Sequence, residues 1–245
     1  MFNLFNNSKK NTDDTGLLAA VESDWHCHVL PSIDDGSRGE EETEAMLEKY
    51  VRLGIKKVVA TPHIHSDYYK NTQQTIQNAH QAALKVIEKN QFPITLEYSA
   101  EYFANDYFLE LIAENNLLPI ENQYILFELS MQQQPLFGKK LVENIQKLGY
   151  TPLLAHPERY RYWHNKPQEW ARWREMGVCF QLNLLSLVGQ YGSSEKKVAE
   201  SMLDLDYIDA VGSDAHGPHH LEKLSKLADN LYFKNLQQLP LLNKL

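Results

Sequence analysis

Two histidines and a pair of adjacent aspartates lie close together in the segment DWHCHVLPSIDDG, which spans positions 24–36. His26 and His28 are two residues apart, and residues with this spacing point to the same side of an extended chain. The two imidazoles are therefore suited to bind one metal ion together. Asp34 and Asp35 are adjacent, so their side chains diverge, and we expect Asp35 to bind metal and Asp34 to cap the turn. The pair of histidines is only suggestive by itself, because a single histidine at a strand end is usually structural.

Further residues able to bind a divalent metal recur along the chain, each near the end of a short apolar segment. Asp214 and His216 repeat the two-residue spacing of the first pair. The full candidate set is His26, His28, Asp35, His63, Glu101, Glu128, His156, Asp214 and His216. Mixed imidazole and carboxylate ligands suit zinc, iron or manganese. These ligands are too many for one ion, so we expect two or three ions, with a carboxylate such as Glu101 shared between neighbours.

Closely spaced cations would support phosphoryl chemistry. Divalent ions neutralise charge on a phosphate and lower the pKa of a bound water towards about 7, which yields a nucleophile that attacks phosphorus in line. This chemistry needs no serine or cysteine nucleophile. Arg159 follows the tripeptide HPE, and its guanidinium could bind phosphate through two parallel hydrogen bonds. The structural alternative for Arg159 is a salt bridge to Glu158. We expect Arg159 and Asp35 to take part in catalysis.

The elements that must position these residues alternate between short β-rich segments and longer segments with helical spacing. One helix is expected over Glu40–Leu53, with the capping-box spacing of Ser37 and Glu40 at its start and Gly54 at its end. Seven strands are predicted, and candidate ligands lie at the ends of six of them. Strands followed by helices favour parallel pairing, so seven such units predict an α/β fold of the TIM-barrel type, in which the carboxyl ends of all strands meet on one face. An open doubly wound sheet is the structural alternative.

Composition narrows the function classes. The chain has 245 residues, of which 43% are hydrophobic, enough for one core. We expect a flexible polar leader over residues 1–16 and a single catalytic domain over residues 17–245. The net charge of −8 argues against nucleic acid as a partner, because an acidic surface repels a phosphate backbone. Cys27 and Cys179 form no CxxC pair and are typical of reduced thiols, which favours a cytoplasmic location. No apolar run approaches membrane-spanning length, so stable membrane insertion is not expected.

A family resemblance emerges from the order of the motifs. DWHCHVLPSIDDGS, ATPH, YYKN, SAEYF, AHPERY and GSDAH follow one another as in the PHP (polymerase and histidinol phosphatase) superfamily. Within it, the chain resembles the bacterial CpsB/YwqE-type protein-tyrosine phosphatases, from about position 24 to position 216. The resemblance implies a distorted (β/α)7 barrel with three metal ions, manganese being favoured over iron, zinc or magnesium. It assigns His26, His28, Glu101 and Asp214 to one ion, Glu101 and His156 to the next, and Asp35, His63, Glu128 and His216 to the third.

The resemblance also implies a substrate. Family members dephosphorylate tyrosines of bacterial tyrosine kinases that control capsule or exopolysaccharide assembly, so a phosphotyrosine-containing protein of that kind is the expected partner. Arg159 matches the arginine that binds phosphate in the family. Relatives often carry another arginine shortly after the final DxH motif, whereas Leu221 occupies about that place here. We therefore expect Lys70 to bind substrate together with Arg159, with His219 or His220 as further candidates.

Two other functions compete with this interpretation. The same ligand set would serve a small-molecule phosphoesterase such as a histidinol-phosphate phosphatase, whose tighter pocket should reject a folded peptide. The non-enzymatic alternative is a catalytically silent regulator that binds a phosphorylated partner, and the complete ligand set argues against it. Rates on histidinol phosphate and phosphotyrosine, together with metal analysis, distinguish the three.

Overall fold

The computed structural model describes residues 14–244. Its strands are short, parallel and mostly buried, with the exception of β4, in which Thr95 and Glu97 are exposed. They are β1 Ser23–Cys27, β2 Lys57–Ala60, β3 His63–Ile64, β4 Thr95–Tyr98, β5 Glu101–Phe103, β6 Tyr124–Glu128, β7 Thr151–Ala155, β8 Cys179–Asn183 and β9 Ala210–Gly212. The hydrogen-bonded order is β1-β2-β4 in one sheet and β3-β5-β6-β7-β8-β9 in the other, and every pair of neighbours is parallel.

The nine strands occupy seven positions, because two predicted strands are each interrupted. The pairs Ala60–Tyr98 and His63–Glu101 have the same sequence offset, so β3 and β5 continue β2 and β4 in register. Pro62 lies at the interruption and has no N–H to donate to the ladder. Its carbonyl still accepts the Glu101 amide at 3.1 Å. The prediction of seven strands is therefore correct, although the ladder is not continuous.

The two ends of the curled sheet meet where β9 approaches β1. The Asp214 amide donates to the His26 carbonyl at 2.7 Å, and the His28 amide donates to the Ala215 carbonyl at 3.0 Å. Gly212 permits this approach, because a Cβ at that position would lie 2.5 Å from the Cβ of His26. The result is a distorted (β/α)7 barrel, as predicted, and the doubly wound alternative is wrong.

Helices follow the strands around the outside of the barrel. They are α1 Glu40–Leu53, α2 Gln73–Asn90, α3 Asp106–Ala113, α4 Gly138–Lys147, α5 Pro167–Glu175, α6 Leu184–Leu187, α7 Ser193–Asp204, α8 Pro218–Lys223 and α9 Leu231–Leu236, with 3-10 turns at Pro157–Arg159, Arg161–Trp163 and Leu224–Asp229. The bounds predicted for α1 are correct, and it ends at Gly54 in the left-handed conformation, with φ of 86°. The capping box predicted at its start is wrong, because the Ser37 hydroxyl donates instead to the Gly39 carbonyl at 2.9 Å.

The core has two parts. The larger cluster lies between the strands and the helices, and a smaller one fills the barrel interior below the site, with Trp25, Val59, Leu126 and Leu153 among its members. Residues 1–13 of the predicted leader lie outside the described residues. Over residues 14–244, no helix combines the length and apolarity that crossing a membrane requires.

Candidate metal centre

The barrel gathers all nine candidate ligands at the carboxyl ends of its strands. They form four overlapping groups, and within each group the potential ligand atoms lie within 4.8 Å of one another. The groups are His26, His28 and Asp214; His26, Glu101 and His156; His63, Glu101 and Glu128; and His28, Asp35, His63 and His216. Residues separated by nearly two hundred positions thus share one small volume.

Glu101 lies at the middle of this arrangement. Its carboxylate oxygens are 3.2 Å from Nε2 of His26, 3.0 Å from Nδ1 of His63 and 3.0 Å from Nε2 of His156. A carboxylate in contact with three imidazoles from three strands is placed to be shared between two ions, which is the role predicted for it.

Asp35 belongs to the outer part of the centre. Its Oδ1 lies 3.5 Å from Nε2 of His63 and 3.6 Å from Nε2 of His216. The ring of His216 stacks on that of His28 at 3.9 Å. Glu128, which the resemblance assigns to the same ion as Asp35, groups instead with His63 and Glu101, its Oε1 lying 3.4 Å from Nδ1 of His63.

Partners behind the imidazoles fix their orientation. Nδ1 of His26 is 2.7 Å from Oε1 of Gln181, and Nδ1 of His28 is 2.7 Å from Oδ2 of Asp34. Such outer contacts set the tautomer and leave Nε2 as the ligand atom. Asp34 also accepts the Gly36 amide at 2.9 Å, so it caps the turn as predicted and orients a ligand in addition.

The inward-facing atoms are buried and lie close to one another, yet several of them make no hydrogen bond of good geometry to the described residues. Nε2 of His26, Nε2 of His28 and Oε2 of Glu101 have no hydrogen-bond partner among the described residues. Leaving a buried polar atom unsatisfied costs about 1–3 kcal/mol. Convergence of several such atoms, all good ligands for divalent metals, fits a metal centre.

The pKa shifts of two candidate ligands, one carboxylate and one imidazole, also favour a metal centre. Burial, and then repulsion from Glu101, raises the pKa of Glu128 to about 8. Burial disfavours the charged form of His26, but the nearby charges of Glu101 and Asp214 outweigh it and raise the pKa of His26 to about 9. The negative charge of Glu101 and Asp214, which raises the pKa of His26, is charge that a divalent cation would neutralise.

Arg159 lies against the centre and does not pair with Glu158. Its Nη1 donates to Oδ2 of Asp214 at 2.8 Å, and its guanidinium lies over the ring of Tyr191 at 4.2 Å from the centroid. The structural alternative considered for Arg159 is therefore wrong. Glu158 is buried and accepts instead from the Ser186 hydroxyl at 2.6 Å.

Three supporting residues escaped sequence reasoning. Oδ2 of Asp214 accepts from Asn183 Nδ2 at 2.6 Å and from the Tyr191 hydroxyl at 3.0 Å, in addition to Arg159. Asn183 and Gln181, both fully buried, face the barrel interior from β8. Two buried amides spaced two residues apart in a strand are a signal that the sequence contained, whereas nothing local to Tyr191 distinguishes it.

The rim of the centre carries the remaining predicted residues. Lys70 is exposed and follows Tyr69, whose ring stacks on His63 with centroids 5.3 Å apart. Leu221 is fully buried, so its position in this chain cannot present a side chain to a substrate. His220 is closer, since its Nδ1 accepts the His216 amide at 3.1 Å.

Fold and site together define a class of protein: a parallel (β/α)7 barrel with a candidate metal centre, rich in histidine and carboxylate, at the carboxyl ends of its strands. Comparison with known families narrows this class. Residues 22–234 match the family described as Capsular polysaccharide synthesis, CpsB/CapC. The chain belongs to this family.

Individual relatives agree. The chain is 31% identical over 194 residues to Tyrosine-protein phosphatase YwqE of Bacillus subtilis (strain 168), a match covering 79% of this chain and 76% of YwqE. It also resembles a crystal structure from work on YwqE from Bacillus subtilis and CpsB from Streptococcus pneumoniae, described as unique metal-dependent tyrosine phosphatases. That match has a TM-score of 0.78 at 27% identity and covers 91% of this chain and 95% of the other. The lactonase Lmo2620 from Listeria monocytogenes matches with a TM-score of 0.54 at 11% identity over 86% of each chain, which shows a common fold only.

Proposed function

We propose that this protein is a metal-dependent phosphotyrosine-protein phosphatase. The observation that carries the proposal is the convergence of nine imidazole and carboxylate ligands beside an arginine, Arg159, at the barrel mouth. The relatives YwqE and CpsB, named as tyrosine phosphatases, support the reaction class. The mouth of the barrel is open to solvent at the candidate metal centre, since the Asp35 side chain is half exposed.

The proposed centre holds two or three divalent ions, manganese being the first candidate, with iron, zinc or magnesium as alternatives. Its ligands are His26, His28, Asp35, His63, Glu101, Glu128, His156, Asp214 and His216. When bound, such ions supply positive charge to the phosphoryl oxygens and acidify an attacking water. The buried ligands and their outer partners hold this charge in place, and Asp35, as the most exposed carboxylate of the set, lies where the phosphate would arrive.

Arg159 is the proposed phosphate-binding residue. Its Nη1 is engaged by Asp214 and its plane is held against Tyr191, so the guanidinium has a fixed position while its other N–H groups are available for an anion. Because the Arg159 guanidinium is already fixed before the phosphate binds, binding costs less conformational entropy. Lys70, exposed on the rim, is proposed to bind the substrate beyond the phosphate.

The proposed substrate is a phosphotyrosine in a protein, and a bacterial tyrosine kinase that regulates capsule or exopolysaccharide assembly is the proposed partner. The family description, capsular polysaccharide synthesis, supports this assignment. A cytoplasmic location is proposed on the basis of the two free thiols, Cys27 and Cys179, since disulfides are typical of oxidising compartments.

The first test is phosphate release from phosphotyrosyl peptides by purified protein with added manganese, repeated after chelation and after manganese is restored. We expect activity that chelation abolishes and manganese restores. Histidinol phosphate is assayed in parallel, and a higher kcat/KM on histidinol phosphate than on the peptides would favour the small-molecule alternative. Activity indifferent to chelation would contradict the proposal.

The second test concerns Arg159. We expect Arg159→Ala to lower kcat/KM by about a hundredfold, the usual size for loss of one preorganised group that stabilises transition-state charge. Arg172→Ala is the matched control, because Arg172 lies on the exterior helix α5 and is 65% exposed. Equal kinetics of the two variants would remove Arg159 from the site.

A further inference from the structure

Beside the metal centre lies a second cavity, of about 310 Å³, lined by Met131, Arg159, Arg161, Tyr191 and Glu195. We propose that it binds a second anionic group of the substrate, close in sequence to the phosphotyrosine, and that Arg161 recognises this group. The inference rests on the proposed function, and it adds a determinant of substrate choice to it.

The backbone of Arg161 is held firmly while its side chain is free to meet a ligand. Arg161 begins the short 3-10 turn Arg161–Trp163, and its neighbours Tyr160 and Trp163 are both almost completely buried. The Arg161 side chain is nonetheless 74% exposed. Because Nε of Arg161 is already held by Glu195, its guanidinium loses less conformational freedom on binding a ligand than an unanchored arginine would.

The contact that Arg161 makes inside the protein leaves its recognition edge open. Its Nε donates to Oε1 of Glu195 at 2.7 Å, and the Glu195 side chain is only 4% exposed. Among the contacts of the described residues, its terminal nitrogens have no protein partner. A guanidinium held by Nε presents these remaining N–H groups as a pair, which is the geometry that binds carboxylate or phosphate.

The position of the cavity beside the candidate metal centre indicates which part of a substrate it would bind. Arg159 both contacts Asp214 of the metal centre and lines the cavity, so the two sites are adjacent. A substrate whose phosphate reaches Arg159 would therefore bring neighbouring residues to Arg161. Tyr191 and Met131 supply the less polar part of the cavity lining.

Charge explains why such a subsite would be useful. The chain carries a net charge of −8, which disfavours approach of an acidic peptide. Two arginines on one wall provide cationic groups for an anion, each anchored by a carboxylate behind it: Asp214 for Arg159 and Glu195 for Arg161. The shared chemistry is an anion, which could be the carboxylate of Asp or Glu or a second phosphate.

The experiment uses phosphotyrosyl peptides with an otherwise uncharged sequence. Glutamate replaces one neutral residue at a time within three positions on either side of the phosphotyrosine, and a second series carries phosphoserine instead. For wild-type protein we expect at least one position at which the anion raises kcat/KM about fivefold, mainly through KM, the upper range for an exposed ion pair. The two series distinguish carboxylate from phosphate as the preferred anion.

The informative variant is Arg161→Gln, whose amide can still donate to Glu195 and so keeps the buried carboxylate partnered. We expect it to act on the neutral peptide as wild type does and to lose the gain from the anion. Arg161→Lys should keep part of the gain, and the control Arg172→Gln should keep all of it. Thermal unfolding of each variant verifies that it folds.

Affinity for peptides bearing a non-hydrolysable phosphonate in place of the phosphate, measured by fluorescence anisotropy, separates this inference from the proposed function. If no peptide is hydrolysed, the proposed function fails, whatever the anisotropy shows. If peptides are hydrolysed but neither anion helps at any position, or if the gain survives in Arg161→Gln, the second anion site is overturned.

Discussion

The orientation of individual side chains in the candidate metal centre is fixed largely by the residues that contact their outer edges. His26 and His28 meet Gln181 and Asp34 on their outer edges, and Asp214 accepts from Asn183 and from Tyr191. These contacts cost no reorganisation when a ligand binds, because they already exist. Sequence analysis identified the candidate ligands but only part of this outer layer.

Glu158 provides a test of electrostatics at the residue scale. Burial raises its pKa to about 7, even though Ser186 and the Asn183 amide donate to it. An acid whose folded pKa exceeds its unfolded value of 4.5 is bound to its proton more tightly in the folded state. The contribution of Glu158 to the free energy of unfolding therefore falls by up to about 3 kcal/mol as the pH rises from about 4.5 through about 7.

Glu158→Gln removes this titration and keeps an oxygen for the two donors. We expect its stability relative to wild type to increase between pH 5 and pH 8, as measured by urea unfolding at both pH values. Glu114→Gln, at an exposed position, is the control and should show no such trend. A difference between Glu158→Gln and wild type that does not change with pH would show that the carboxyl ionises normally.

At the scale of elements, β1 is the strand that most departs from regularity. Its pairing register with β2 shifts between Asp24 and Cys27. Trp25 packs inside the barrel, Cys27 packs towards the helices, and His26 and His28 both face the metal centre. Simple alternation could not place Trp25 and His26 on the same side, so the irregularity re-aims the first ligand.

The approach of β9 to β1 depends on a residue without a side chain. We expect Gly212→Ala to lower the free energy of unfolding by about 1–3 kcal/mol, the usual cost of overpacking, because the new Cβ would press on His26. Displacement of His26 should also reduce the metal bound per chain. Urea unfolding and elemental analysis measure the two effects.

Gly39→Ala is the matched control, since Gly39 has extended backbone and the nearest atom to a Cβ there is Ser32 Oγ at 4.0 Å. Because alanine is a poorer N-cap than glycine, it should cost up to about 1 kcal/mol, and it should leave the metal bound per chain unchanged. If both variants behave alike, close contact between β9 and β1 does not govern the site.

At the scale of the whole molecule, the proposed metal ions would tie distant strands together. A ligand that binds only the folded state stabilises it by about 2.7 kcal/mol at a concentration one hundred times its Kd. We therefore expect the Tm to rise with manganese concentration and to fall after chelation. Differential scanning fluorimetry at a series of manganese concentrations measures this dependence.

Glu101→Gln should lose most of the dependence on manganese, because Glu101 takes part in two of the four ligand groups. Glu114→Gln should behave as wild type. A Tm that rises equally in both variants would indicate that manganese binds elsewhere on the protein.

The sequence by itself determined the nine candidate ligands that the barrel brings together, the seven strand–helix units and the bounds of α1. These depend on local properties, namely residue type, spacing and the periodicity of apolar positions. The regular repetition of ligands at strand ends was informative because parallel strands in a barrel must bring those ends together.

Only the tertiary structure decided how the ligands divide into groups and which partners orient them. Glu128 groups with His63 and Glu101, and Arg159 pairs with Asp214 instead of its neighbour Glu158. These contacts depend on how the barrel closes and on the shift within β1, which align residues far apart in the chain to within a few ångströms. Local spacing cannot encode such distances, because they are set by the packing of the whole sheet.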